Sequence, residues 1–277
     1  MSVFTAACLQ VNAGREIAPN IETAAALIGE ARAAGADLVL MPENVSMMEW
    51  GRANIQGKAM AEGDHTALAA FRDLAREHGI WLHSGTLAVK GPGGMVCNRS
   101  HLIAPDGRVV AHYDKIHMFD VDLGDGESYR ESATFQPGDR AVVAHTPWGG
   151  LGLSICYDLR FPHLYRSLAQ AGASFLAVPA AFTRTTGRAH WHVLLRARAI
   201  ETGCWVFAPA QCGEHVEGRQ TYGHALIVDP WGEVVADAGD RPGIILAEID
   251  TERVALARRK VPCLRHDRPF GLPVDGA

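Results

Sequence analysis

The sequence predicts an α/β fold in which strands and helices pack in layers. Short apolar, β-branched runs recur along the 277 residues, and helix-like segments separate several of them. Segment 21–34 places Ala24, Ile28 and Ala31 at helical spacing, which is typical of a helix with one buried face. No Pro- and Ser-rich linker divides the chain, so we expect a single domain over residues 1–277.

Each element is predicted from its local pattern. The predicted strands are residues 4–10, 37–41, 80–89, 96–104, 109–113, 141–146, 151–155, 175–178, 204–209, 225–228, 233–236 and 243–249. The predicted helices are residues 21–34, 66–77, 163–171, 189–200 and 251–259. The polar, Gly-rich segment 120–139 has no clear period, so we predict a long loop there.

Composition narrows the class of protein. The chain is 48% hydrophobic and 21% charged, which is typical of a globular protein rather than a disordered one. Its net charge of −5 gives no reason to expect a nucleic acid or an anionic membrane as partner. We find neither a signal peptide nor an apolar stretch long enough to cross a bilayer. Six cysteines without a CxxC pair favour reduced thiols, and hence a cytoplasmic protein.

Cys156 is the first candidate for chemistry because it follows strand 151–155 and precedes a helix opened by Pro162. A lone cysteine is usually an inert core residue. This one is expected beyond the end of a strand, where open α/β sheets form their binding sites. A free thiol has a pKa of about 8.5, so catalysis by Cys156 needs a nearby base or cation.

Glu43 and Lys115 have a similar placement. Glu43 comes two residues after the apolar strand 37–41, and Lys115 comes two residues after strand 109–113. Taken alone, each is more simply interpreted as a solvated or capping group, because Glu and Lys are seldom buried unpaired. Together with Cys156 they form a complete set for acyl transfer. The carboxylate moves the thiol proton, the thiolate attacks, and the ammonium and the backbone N–H of Tyr157 stabilise the oxyanion.

Three motifs carry a resemblance to a known family. They are Leu-Met-Pro-Glu43-Asn, Tyr-Asp-Lys115-Ile-His-Met-Phe-Asp and Ser-Ile-Cys156-Tyr-Asp-Leu-Arg-Phe-Pro, and in this order they resemble the nitrilase, or carbon–nitrogen hydrolase, superfamily. The resemblance implies that Glu43 is the general base, Lys115 the oxyanion-stabilising lysine and Cys156 the nucleophile. It implies a second glutamate after the lysine. Glu127 and Glu131 are both candidates, and Tyr-Arg-Glu131-Ser fits the family pattern better, so Glu131 is chosen.

The resemblance also implies an architecture and a set of partners. The family fold is a four-layer αββα sandwich that pairs through its helical faces into a dimer, and no metal or organic cofactor is implied. Segments 181–191, 195–202, 210–213, 222–224 and 228–232 resemble the branch that contains deaminated-glutathione amidase and ω-amidase. Of these, 195–202 and 210–213 resemble the deaminated-glutathione amidase more than the ω-amidase. The expected activity is therefore cleavage of a small linear amide through a thioester, with deaminated glutathione as the leading substrate.

Substrates of this branch carry a 2-oxo acid carboxylate, which needs a cation. Arg160, four residues after Cys156, is predicted to bind it, because a guanidinium can hold a carboxylate in a bidentate pair. A structural ion pair is the competing interpretation of Arg160. Phe182 and Thr186 match positions that line the substrate pocket, and Tyr157 is also expected to contact substrate.

Two departures from the branch concern specificity. Arg188 stands where the branch usually has proline, which we expect to place a cation near the rim of the pocket. Loop 122–127 is unusually acidic, and we expect it to influence which amine leaves. Neither departure touches the catalytic positions.

Other functions remain as alternatives. Within the enzyme class, these are an ω-amidase acting on α-ketoglutaramate and an N-carbamoyl amino acid amidohydrolase. Outside the enzyme class, the alternatives are a catalytically silent ligand-binding member of the family and a redox sensor centred on Cys156. A metal site is not expected among the 13 histidines, because His190 and His192 point to different helix faces and no HExxH motif occurs.

Overall fold

The structure is a computed structural model that describes residues 3–124 and 126–271. Asp125, in the acidic loop 122–127, lies outside the described residues. The strands are β1 Val3–Val11, β2 Leu38–Leu40, β3 Trp81–His83, β4 Leu87–Lys90, β5 Val96–Ile103, β6 Val109–Asp114, β7 Asp120–Asp122, β8 Ser128–Arg130, β9 Val142–Thr146, β10 Gly149–Leu153, β11 Ala173–Ala177, β12 Trp205–Ala208, β13 Ala210–Glu214, β14 Gln220–Tyr222, β15 Leu226–Val228, β16 Val234–Asp237 and β17 Gly243–Asp250. The helices are α1 Ile17–Ala33, α2 Arg52–Lys58, α3 Thr66–His78, α4 Pro162–Gln170, α5 Arg184–Thr202 and α6 Glu252–Lys260.

Two mixed sheets form the centre of the molecule. The first has the order β14-β13-β1-β2-β3-β5-β4, with β17 antiparallel to β1 and β6 antiparallel to β5. The second has the order β16-β15-β12-β11-β10-β9. In the first sheet β1, β2 and β3 run parallel, and in the second β10, β11 and β12 do. Their carboxyl ends therefore supply loops to a shared rim.

The alternation along β1 shows how the layers arise. Phe4 and Cys8 face the second sheet in one apolar cluster, while Leu9 and Val11 pack with α1 and α3 in another. Helices α4 and α5 cover the outer face of the second sheet. A strand with apolar side chains on both faces must be covered on both sides, so the order is helix, sheet, sheet, helix. The four-layer αββα sandwich is confirmed.

Most predicted elements are present, although α1 begins at Ile17 rather than at residue 21 and four further corrections apply. The predicted loop 120–139 contains the hairpin β7–β8, whose strands are too short and polar to show a period. Helix α5 begins at Arg184 rather than at residue 189, because the Thr183 side chain accepts a hydrogen bond from Thr186 N and caps the helix there. Predicted strand 80–89 is two strands, broken at Gly85. Strands β13 and β14 and helix α2 were not predicted.

Within the described ranges, no helix combines the length and apolarity that a membrane span requires. All six cysteines are free thiols.

Candidate active site

Three loops from different parts of the chain meet at one rim. Glu43 lies three residues after β2, Lys115 directly follows β6, and Cys156 lies in a 3-10 turn over residues 156–160 after β10. The exposed fractions are 3% for Glu43, 2% for Lys115 and 7% for Cys156. Groups that are 41 to 113 residues apart in sequence are thus held in one nearly dry cluster.

Lys115 joins the two carboxylates. Its Nζ lies 3.0 Å from Glu43 Oε1, and 2.9 and 2.8 Å from the two oxygens of Glu131. Glu131 also accepts a hydrogen bond from Phe119 N at 2.6 Å. The buried Glu43 carboxylate and the half-buried Glu131 carboxylate together hold the Lys115 amine in its charged form and in a fixed position. The sequence left Glu127 and Glu131 open, and the structure places Glu131 in this cluster.

Glu127 lies elsewhere. Its carboxylate accepts hydrogen bonds from Tyr129 Oη at 3.0 Å and from Thr185 Oγ1 at 2.8 Å. It therefore connects the β7–β8 hairpin to the start of α5 rather than contacting Lys115.

Cys156 has an unusual backbone. Its φ of +49° is in the left-handed region that non-glycine residues rarely adopt, and its N–H donates to Pro179 O at 3.0 Å. The buried Asp158 carboxylate stabilises this sharp turn by accepting hydrogen bonds from Ile155 N at 2.8 Å and Tyr113 Oη at 2.7 Å. It also accepts from the backbone N–H of His117 at 3.1 Å. The turn places the thiol near Glu43 and Lys115, close enough that both charges act on it, and all three residues line one cavity.

The charges in the cluster follow from burial and proximity. Burial raises the pKa of the Cys156 thiol well above its usual range, and the Glu43 carboxylate adds to that shift. Burial opposes ionisation of Glu43, yet the Lys115 ammonium and hydrogen bonds outweigh it and lower the pKa of Glu43. Burial opposes the charge on Lys115, but Glu131 and Glu43 outweigh it and raise the pKa of Lys115. The resting site holds a protonated thiol beside an ionised carboxylate.

Two buried amides that sequence analysis missed hold Glu43 in place. Asn98 on β5 donates from Nδ2 to Glu43 Oε1 at 2.9 Å and reaches Glu131 Oε1 at 3.4 Å. Gln211 on β13 donates to the backbone oxygen of Glu43 at 2.9 Å. The sequence signal that could have identified them is a polar side chain inside an apolar strand, since a buried polar group needs a hydrogen-bond partner.

The cluster opens into a cavity of about 370 Å³. Tyr157, Arg160, Phe182 and Thr186 all line it, together with Cys156. The Arg160 guanidinium lies over the rings of Phe182 at 5.3 Å and Tyr157 at 5.8 Å, and donates to His190 Nδ1 at 3.2 Å. Among the described residues it forms no ion pair with a carboxylate, so the ion-pair alternative finds no partner there. Arg219 also lines the cavity, and sequence analysis missed it.

One group of side chains has the composition of a metal site. His192, His224 and Asp237 bring their ligand atoms within 4.8 Å of one another, and Asp237 accepts hydrogen bonds from both rings. None of the three lines the cavity at Cys156. The Asp237 carboxylate already satisfies one nitrogen of each ring, and we assign no ion to this group.

The arrangement as a whole is that of a thiol hydrolase: a nucleophile, a carboxylate base and a fixed cation around one cavity. The carbon–nitrogen hydrolase family matches residues 5–259, so the chain belongs to that family.

Named relatives and solved structures agree with this assignment. The chain is 44% identical over 272 residues to the deaminated glutathione amidase of Synechocystis, covering 96% of this chain and 98% of that protein. It is 41% identical over 268 residues to the human deaminated glutathione amidase, covering 95% and 82%. The Caenorhabditis elegans NitFhit structure superposes with a TM-score of 0.91 at 37% identity, covering 97% of this chain and 66% of that one. Saccharomyces cerevisiae Nit3 gives 0.86 at 29% identity, covering 95% and 96%.

Proposed function

We propose that this enzyme hydrolyses a small linear amide with a 2-oxo acid carboxylate, and that deaminated glutathione is its substrate. The observation that carries the proposal is that Cys156, Glu43 and Lys115 are buried around one cavity. Within this group, Lys115 Nζ lies 3.0 Å from Glu43 Oε1. The relatives named deaminated glutathione amidase support the choice of substrate.

In the first half-reaction Glu43 takes the thiol proton as the sulfur attacks the amide carbon. Negative charge develops on the carbonyl oxygen, where Lys115 Nζ and the Tyr157 N–H stabilise it. Glu43 then gives its proton to the amide nitrogen, the C–N bond breaks, and the amine leaves. The acyl group remains on Cys156 as a thioester.

In the second half-reaction Glu43 takes a proton from a water molecule that attacks the thioester. The tetrahedral oxyanion forms at the same place, so the same donors stabilise it. Its collapse breaks the C–S bond, the sulfur regains the proton from Glu43, and the carboxylic acid leaves. Glu131 positions Lys115 throughout, because both its oxygens contact Nζ.

Arg160 supports the acyl specificity. It is a half-buried cation that lines the same cavity as Cys156 and contacts two aromatic rings. A guanidinium can hold a carboxylate in a bidentate pair. Phe182 and Thr186 line the same wall and are proposed to contact the chain of the acyl group.

We also propose that the enzyme is a cytoplasmic homodimer with one domain over residues 1–277. The outer face of α5 exposes Val193 and Ile200, and Trp231 and Val261 are also exposed, which supports pairing through the helical layer. The free cysteines support a reducing compartment. Sedimentation velocity tests the assembly, and a monomer at micromolar concentration would contradict it.

The activity is tested by the release of 2-oxoglutarate from deaminated glutathione. We expect turnover by the wild type, and loss of at least about a thousandfold in kcat for Cys156→Ala and Glu43→Gln, since each removes a step that nothing else supplies. Cys263→Ala is the matched control, because this half-exposed thiol lies outside the cavity.

Full activity in Cys156→Ala would overturn the mechanism. If the enzyme turns over α-ketoglutaramate or an N-carbamoyl amino acid but not deaminated glutathione, the proposed substrate is wrong and the corresponding alternative is correct. Tight binding of all three without turnover would identify a ligand-binding member.

A further inference from the structure

A second cavity adjoins the one at Cys156. Its volume is about 560 Å³, and it shares Trp50, Ser128, Tyr129 and Arg219 with the inner cavity. The outer cavity lies between the β7–β8 hairpin, the first two turns of α5 and the turn at Gly218. A molecule that reaches Cys156 from the outer cavity would pass the wall formed by Tyr129 and Arg219.

The outer cavity is rich in arginine. Arg184 and Arg188 line it from successive turns of α5, four residues apart and therefore on one helix face. Both are exposed, and neither pairs with a carboxylate within the part of the chain that the structure describes. The Arg219 guanidinium lies over the Tyr129 ring at 5.5 Å and donates to Ala181 O at 3.0 Å.

Two carboxylates also line the outer cavity, but both are already engaged. Glu217 pairs with Arg15 at 2.8 Å. Glu127 accepts hydrogen bonds from Tyr129 and Thr185. Among the described lining residues, three guanidiniums therefore face two carboxylates, and Arg184 and Arg188 are left to bind an anion from solution.

We propose that the outer cavity binds the departing amine of the substrate, and that Arg184 and Arg188 hold a carboxylate at the far end of that amine. This rests on the proposed function, since the scissile amide must lie with its carbonyl carbon at the Cys156 sulfur. In deaminated glutathione the departing amine is cysteinylglycine, and two extended residues span about 7 Å from amide nitrogen to carboxylate. The substrate then carries one carboxylate toward Arg160 and another toward Arg184 and Arg188.

The proposal separates two kinds of amide by their leaving groups. Deaminated glutathione and α-ketoglutaramate share an acyl group, but α-ketoglutaramate releases ammonia and has nothing to place in the outer cavity. Loss of the arginines should therefore weaken only the larger substrate. General attraction of anions by these charges would instead affect both, because both carry the 2-oxo acid carboxylate.

The test measures kcat and KM of the full-length enzyme for both amides in Arg184→Gln, Arg188→Gln and the double variant. We expect the double variant to raise KM for deaminated glutathione about tenfold with kcat nearly unchanged, since the lost contact is equal in ground and transition states. For α-ketoglutaramate both constants should change less than about twofold. Arg108→Gln is the control, because it removes one exposed arginine far from the cavity in sequence and outside its lining.

A second measurement removes the carboxylate from the substrate instead. The wild type should bind the glycinamide form of deaminated glutathione about tenfold more weakly than the acid, and the double variant should not distinguish the two. Equal losses on both amides, no loss on either, or persistent discrimination against the glycinamide in the double variant would overturn the proposal. Wild-type enzyme inactive on both amides would contradict the proposed function itself. If the proposed function is wrong but the outer cavity does bind this amine, S-methyl-cysteinylglycine should still bind the wild type and not the double variant in calorimetry.

Discussion

At the scale of single residues, the proposed catalytic side chains depend on one another and on Asn98. Lys115 remains charged because Glu43 and Glu131 surround it, and Glu43 remains ionised because Lys115 and Asn98 donate to it. Removal of one member leaves a buried partner without its hydrogen bond, which costs more than the net worth of that bond. The catalytic geometry is therefore a property of the group.

Asn98→Ala tests this dependence. The variant keeps the three proposed catalytic residues but removes the 2.9 Å hydrogen bond to Glu43 Oε1. A hydrogen bond to a charged group contributes about 1.5–3 kcal/mol, so we expect kcat to fall roughly 10- to 100-fold. KM should change little, because Asn98 does not line the cavity.

Ser100→Ala is the matched control for Asn98→Ala, since Ser100 is also buried on β5 but its hydroxyl contacts Tyr113 O instead. A similar fall in kcat in the two variants would contradict the role of Asn98, because any polar substitution on β5 would then lower kcat.

At the scale of elements, the positions of the proposed catalytic residues depend more on short turns and loops than on the long helices. Glu43 follows Pro42, and the turn between β3 and β4 packs against that peptide. Gly85 in this turn has φ +60°, and a Cβ there would lie 2.0 Å from Pro42 O. Only glycine lets the two segments approach so closely. The turn between β3 and β4 therefore helps to hold the backbone at Glu43 in position, although it lies about forty residues away in sequence.

Gly85→Ala should therefore displace the Glu43 backbone. We expect a loss of more than about 2 kcal/mol in the free energy of unfolding, from the left-handed backbone and the overlap together. We also expect kcat to fall by at least about tenfold.

Gly79→Ala separates the two contributions to this loss. Gly79 has φ +62°, but nothing lies within 4 Å of its added Cβ, so it reports the backbone cost alone. Equal effects of the two substitutions on stability and on kcat would contradict the role of the Pro42 contact.

At the scale of the whole molecule, the tightly packed interior contains histidines that must stay neutral. Burial lowers the pKa of His83 to about 3 and, together with the charge of His101, that of His65 to about 4. His83 has no solvent exposure, and its Nε2 has no hydrogen-bond partner among the described residues. The unfolded chain takes up these protons near pH 6.5 and the folded chain does not.

Stability should consequently fall as the pH decreases. The folded pKa values are depressed, so the native state is favoured fully above about pH 6.5 and loses up to about 1.4 kcal/mol per pH unit per histidine below it, down to about pH 3 for His83. Urea unfolding at pH 7.5, 6.5 and 5.5 and fixed protein concentration measures this slope.

His83→Asn should reduce the pH dependence of the unfolding free energy by the contribution of one histidine, because asparagine does not titrate. The fold should tolerate the change, since the amide oxygen can accept the Gly85 N–H that His83 Nδ1 accepts at 3.3 Å. An identical slope in this variant would mean that other groups cause the acid sensitivity.

Much of the site and fold could be predicted from local sequence. The strands that precede Glu43, Lys115 and Cys156 are apolar runs with clear ends, so their carboxyl ends could be located. The hairpin β7–β8 could not, because three-residue polar strands acquire their structure from pairing rather than from propensity. The start of α5 was missed because its cap, Thr183, lies in a segment without helical periodicity.

The positions of most strands and helices along the chain, the layered α/β class and the placement of a cysteine, a carboxylate and a lysine after strands were predicted from the sequence, because each depends on neighbours close in sequence. Only the assembled tertiary structure showed the contacts of Glu131 with Lys115, the hydrogen bond of Glu127 with Thr185 and the group of arginines at the outer cavity. Side chains from segments dozens of residues apart meet there, and their directions depend on packing that no local spacing encodes.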